Sequence, residues 1–101
     1  MRGVVYVSTG GVSSNQITER VQVLAQAGFQ SIELTGGTLP EKDLAKKLHN
    51  LRSTYGLNFL IHNYFPPPES PFVFNLASES HEIREKSLGL ARKAIDLCVE
   101  I

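Results

Sequence analysis

The run FLIHNYFPPP, residues 59–68, carries His62 and Asn63 to the end of an apolar stretch that three prolines then stop. A neutral imidazole in that position is suited to ligating a metal or transferring a proton. The plainer alternative is a histidine hydrogen-bonded near a strand end, with no ligand role. Glu33, in the middle of SIELT at residues 31–35, is the second candidate. A mid-strand carboxylate is costly to bury unless it is paired or used. It suits binding a cation or substrate hydroxyls, or a salt bridge to a basic side chain. Asn63 adds a hydrogen-bonding neighbour beside His62.

The remaining reactive residue types carry less. His49 lies in a helical pattern off its apolar stripe and reads as solvated. His81 stands at a helix start, where a cation gains nothing from the helix dipole. Cys98, the single cysteine, excludes an internal disulfide, and its apolar helical surroundings predict a small core residue rather than a nucleophile. The pairs Gly10–Gly11 and Gly36–Gly37 permit tight turns or close ligand approach. Neither is followed by the Lys-Ser/Thr of a nucleotide loop.

Composition narrows the class. The chain has 101 residues, 42% hydrophobic and 20% charged, as in an ordinary globular protein with one modest core. Ten basic and ten acidic residues balance, so no long-range field favours nucleic acid or an anionic membrane. The opening MRGVVYVSTGG is too short and too soon broken by glycine to read as a secretory or membrane segment, and a cytoplasmic protein is expected.

The elements that must position Glu33 and His62 repeat one unit. Three runs rich in β-branched or aromatic residues, 4–9, 31–35 and 57–62, read as strands. A first helix is expected from near Ser13, with Ser13 and Gln16 as a capping box, Ile17, Val21 and Leu24 on one face, and Gly28 as the stop. A second opens on TLPE, with Thr38 and Glu41 as a capping box and Pro40 in the first turn. Its stripe is Leu44, Leu48, Leu51 and Tyr55, and Gly56 ends it. A third starts around Ser80 with Ile83, Leu90, Ala94, Leu97 and Ile101 on one side. The order β-α-β-α-β-α implies parallel strands joined by right-handed crossovers.

Alternation along the strands then assigns faces. Ile32 and Leu34 oppose Ser31, Glu33 and Thr35; Phe59 and Ile61 oppose Asn58, Leu60 and His62; Val5 and Val7 oppose Tyr6 and Ser8. Helices with one apolar stripe cover the apolar set. A doubly wound, flavodoxin-like sheet has both faces covered and reads as almost continuously apolar. The polar set near the carboxyl ends instead fits a (β/α) barrel, whose inner face becomes polar at the mouth. Three units do not close a barrel of about 250 residues. The expected fold is therefore an incomplete barrel of three parallel βα units, truncated before a fourth strand and prone to self-association through exposed sheet edges. The stiff segment FPPPESPFVFNLAS, residues 65–78, should form a folded loop on the His62 side, with Phe72 and Phe74 packed over the mouth or a neighbouring loop.

With His62 ending strand three, then FNLAS at 74–78 and REKS at 84–87, the chain resembles the amino-terminal portion of a xylose isomerase-like barrel. That superfamily contains sugar-phosphate isomerases and epimerases and endonuclease IV, and AGFQSIEL at 27–34 is similar to its typical second strand. The resemblance implies a metal-dependent sugar or sugar-phosphate isomerase or epimerase, with Glu33, His62 and Asn63 lining the substrate pocket. It implies a divalent metal (zinc, manganese or magnesium) in an intact barrel, with His62 at the position of the zinc-binding strand-three histidine of endonuclease IV. The other metal donors belong to later strands, so these 101 residues alone are expected to bind no metal and to be inactive. The alternatives are a zinc-dependent abasic-site endonuclease, for which DNA is the partner, and a non-catalytic half-barrel. Neutral charge and the long gap from His62 to Asn75 rank the nuclease second.

Overall fold

The computed structural model describes residues 3–101. Three parallel strands form one sheet in sequence order: β1 (Val7–Ser8), β2 (Ser31–Leu34) and β3 (Asn58–Ile61). Helices α1 (Ile17–Gln26), α2 (Leu44–Tyr55) and α3 (His81–Glu100) follow them in turn. The fold is that of three consecutive βα units, an open arc of a (β/α) barrel. A short 3-10 turn, Thr9–Gly11, cuts the first strand to two residues. The expected strand over 4–9 is thus mostly irregular, and Val4 and Val5 lie exposed where burial was expected to hold a strand.

Ile17, Val21, Ile32, Leu34, Leu48 and Phe65 have no solvent access, and Leu24, Leu57, Leu97 and Ile101 complete their cluster. The predicted stripes of α1 and α2 therefore face one core, which the α3 stripe joins through Leu97 and Ile101, while Leu90 is buried outside that cluster and Ile83 and Ala94 are half-buried. On α3 the opposite side is apolar as well: Ile95 and Val99 are exposed, and so is Cys98. Cys98 is not the core residue expected, because it follows Leu97 by one position and is carried about 100° away from the core.

The helix stops follow the glycines. Gly28 and Gly56 adopt positive φ (98° and 65°), and Gly56 donates its N–H to the Arg52 carbonyl, as a left-handed C-cap does. The helix starts differ from expectation at two of three places. At α1 the cap residue is Gln16 and its side chain makes no capping bond. Ser14 rather than Ser13 organises the entry, accepting from the Gln16 N–H and donating to Glu19. The helix's exposed amide is satisfied from a distance: Glu41 accepts from the Thr18 N–H at 3.0 Å and from the Thr18 hydroxyl at 2.8 Å. A carboxylate at a helix N-terminus is favoured by both the free amides and the dipole. This use of Glu41 removes it from the expected box with Thr38, and α2 begins only at Leu44, with Asp43 in the left-handed region at the cap position and making no side-chain capping bond. Thr38 is buried, and its hydroxyl has no partner among the described residues. At α3 the expected Ser80 cap is present, its hydroxyl accepting from the Ile83 N–H.

No helix among the described residues is long and apolar enough to cross a membrane. Leu48 tests the core directly, being at the centre of the α2 stripe and fully buried. Leu48→Ala is expected to lower stability by about 2–5 kcal/mol, read as a fall in the urea midpoint at constant slope. An unchanged midpoint would show that α2 does not pack as described.

Candidate functional site

The register of β2 against β3 decides which side chains meet. Ile32 pairs with Phe59, Glu33 with Leu60 and Leu34 with Ile61. The His62 N–H donates to the Leu34 carbonyl at 2.9 Å, carrying the ladder one step further and setting His62 beside Thr35. On the first strand Ser8 pairs with Glu33. Residues paired across parallel strands share a face. Ser8, Glu33, Thr35, Leu60 and His62 therefore line the side opposite buried Ile32 and Leu34, as alternation predicts.

Glu33 is half-buried and His62 exposed. They are one pleat apart on neighbouring strands, which sets their Cα atoms roughly 8 Å from each other. That span admits a small polar molecule between them. Neither ion pair among the described residues, Lys47–Glu41 or Lys86–Glu82, involves Glu33. The Nδ1 atom of His62 lies 3.3 Å from the backbone carbonyl of Asn63. In the tautomer that donates from Nδ1, Nε2 keeps the lone pair, the state in which a histidine accepts a proton or binds a metal. Asn63 itself is exposed beside it.

A metal centre needs more than this. Among the described residues no three His, Cys, Asp or Glu side chains gather closely enough to hold an ion. His49 and His81 are exposed on their helices, with His81 Nδ1 3.4 Å from the Arg84 guanidinium. One imidazole does not make a metal site.

Sequence reasoning missed the hydroxyl pair behind this face. Thr9 has no solvent access; its Oγ1 accepts from the Thr35 N–H at 3.1 Å and lies 3.1 Å from the Thr35 hydroxyl. Arg20 braces the same turn, donating to the carbonyls of Ser14 at 2.7 Å and Thr9 at 3.3 Å. The only prior signal was a threonine at each of two strand ends, which reads as ordinary β-propensity.

The proline-rich segment folds over the same end. Tyr64 takes positive φ (61°), and its hydroxyl accepts from the Phe72 N–H at 2.8 Å. The Tyr64 and Phe72 rings lie 5.7 Å apart between centroids. The Asn75 N–H donates to the buried Ser87 hydroxyl at 2.8 Å, tying the segment to α3. Phe72 and Phe74 are half-buried, as expected of a folded loop, while Phe65 is the aromatic that enters the core.

A family model described as xylose isomerase-like TIM barrel matches residues 21–101. No curated protein and no solved structure gives a significant match. Thr9→Val keeps the side chain's shape but removes the acceptor of the half-buried Thr35 amide, and is expected to cost about 1–3 kcal/mol. A thermal or urea transition indistinguishable from the parent would show that the two strand ends are not joined through this hydroxyl.

Proposed function

The chain belongs to the xylose isomerase-like TIM barrel family, and from that premise we propose that its polar face is part of the pocket of a sugar or sugar-phosphate isomerase or epimerase. One observation carries the reading. Three adjacent parallel strands present Ser8, Glu33, Thr35 and His62 on the side away from the core, near their carboxyl ends. Active sites of (β/α) barrels lie at that end.

In this role Glu33 accepts hydrogen bonds from sugar hydroxyls. His62 accepts a further one at Nε2, and Asn63 both donates and accepts through its amide. These residues hold and orient a polyol; the proton-moving carboxylates of such a reaction are not among them. His62 would supply at most one donor to a divalent metal in an assembled barrel, where such an ion would serve to polarise a carbonyl or hydroxyl oxygen. The 101 residues alone therefore bind without turning over.

The test is a titration of the isotope-labelled chain, followed residue by residue in solution. Fructose 6-phosphate at millimolar concentration is expected to shift the signals of Glu33, His62 and Asn63, with no isomerisation detected. His62→Ala should abolish the response at Glu33 while leaving the melting temperature within about 2 °C, as for a surface substitution. A duplex containing an abasic site should leave the same signals in place. A saturable response to that duplex and none to the sugar phosphate would favour the endonuclease reading instead. Isomerisation by the isolated chain at enzymatic rates would contradict the account of its chemistry.

A further inference from the structure

The position of His62 and Asn63 depends on how the residue after them is seated. Tyr64 is held from two sides. On one, Gly36 in the β2–α2 connection lies against it: a Cβ added to Gly36 would stand 3.0 Å from the Tyr64 carbonyl oxygen and 3.4 Å from its ring Cδ1. On the other, its hydroxyl accepts from Phe72 of the proline-rich segment at 2.8 Å, and that segment is fixed to α3 through Asn75 and buried Ser87.

The β2–α2 connection is a firm stop rather than a yielding one. The Thr35 N–H, immediately before Gly36, is bound to the buried Thr9 hydroxyl. Leu39 donates to the Asn15 carbonyl at 2.8 Å, and Glu41 caps α1 through Thr18. Gly36 does not have positive φ, whereas Gly37 does (94°). An added side chain at Gly36 would be crowded by the Tyr64 carbonyl rather than disfavoured by the backbone conformation, and the neighbour would have to give by a few tenths of an ångström.

We propose that Tyr64, seated between Gly36 and the proline-rich segment, is the positioning residue of the site, and that Gly36 is bare because the Tyr64 backbone occupies the space of a side chain. Tyr64 acts in this role through the backbone that follows β3, although it shares a cavity lining with His62 and Asn63. It fixes where the chain turns after β3 and so where His62 and Asn63 stand. The ligand-binding part of this inference rests on the sugar-phosphate reading of the pocket; the positioning part does not.

Gly36→Ala introduces one methyl group against Tyr64 without straining the backbone at residue 36. Gly11→Ala is the control, because a Cβ there meets nothing within 4 Å and Gly11 also lacks positive φ. In the ligand-free chain, Gly36→Ala is expected to displace the side-chain resonances of His62 and Asn63, and Gly11→Ala to leave them in place. A general loss of stability does not move side-chain resonances of molecules that remain folded. Apparent affinity for fructose 6-phosphate should fall roughly tenfold or more in Gly36→Ala, since small misplacements of binding groups are expensive. Tyr64→Phe removes only the hydroxyl and keeps the contact with Gly36, so it serves if the alanine variant does not fold. It should speed hydrogen exchange at the Phe72 amide roughly two- to tenfold and shift His62 and Asn63.

His62 and Asn63 resonances unmoved in both Gly36→Ala and Tyr64→Phe would overturn the positioning role, whatever the sugar phosphate does. Displaced resonances in a chain whose wild type ignores fructose 6-phosphate would support the positioning role and count only against the sugar-phosphate reading.

Discussion

Ile32 and Leu34 are sealed from solvent beneath the helices, and the arrangement of the whole face follows from that. Side chains alternate across a strand, so burying these two sends Glu33 and Thr35 to the opposite side. Parallel pairing then transmits the choice to β3, where the His62 amide bonds the Leu34 carbonyl and the imidazole falls beside Thr35. A slip of one residue would exchange the faces, driving Glu33 towards the core and Leu34 into water. Burial of two aliphatic side chains stabilises the fold, whereas burial of an unpaired carboxylate opposes it, so the register is strongly determined. The candidate site is a consequence of core packing at least as much as of any local motif.

What core packing does not determine, the connections do. The three strand ends are linked in series: Thr9 to Thr35 through hydroxyl and amide, Gly36 to Tyr64 by close contact, Tyr64 to Phe72 and Asn75 to Ser87 by hydrogen bonds. Glu41 adds a tie from the second connection back to α1. Such a chain of contacts limits the freedom of the loops beside the candidate site, which would lower the ordering cost of any ligand bound there. The same end of the sheet is where barrel enzymes place their chemistry.

Much of this was legible in the sequence because it depends on period and on glycine. The strand runs, the three apolar stripes and the stops at Gly28 and Gly56 all follow from local pattern, and the family match supports the barrel resemblance. The helix starts were less legible. Thr38 and Glu41 have the spacing of a capping box, yet Glu41 serves α1 across 23 residues of sequence, a long-range partner that no local spacing encodes. Strand one was overread because β-branched Val4 and Val5 have strand propensity but no paired neighbour to bury them. Cys98 was placed in the core by the apolar character of its neighbours, although its helical phase turns it outward. Of the site, the shared face of Glu33 and His62 was readable from alternation. The Thr9–Thr35 pair and the seat of Tyr64 were not, since both are contacts between distant segments.

The measurement closest to the central claim is the pairing of β2 with β3 in solution, by hydrogen-bond scalar couplings and by contacts from the His62 ring. The account predicts a coupling between the His62 amide and the Leu34 carbonyl, a slowly exchanging His62 N–H, and ring contacts to Thr35 on the polar face. A His62 amide coupled to another carbonyl, or ring contacts to Leu48 and Val21 in the core, would contradict it.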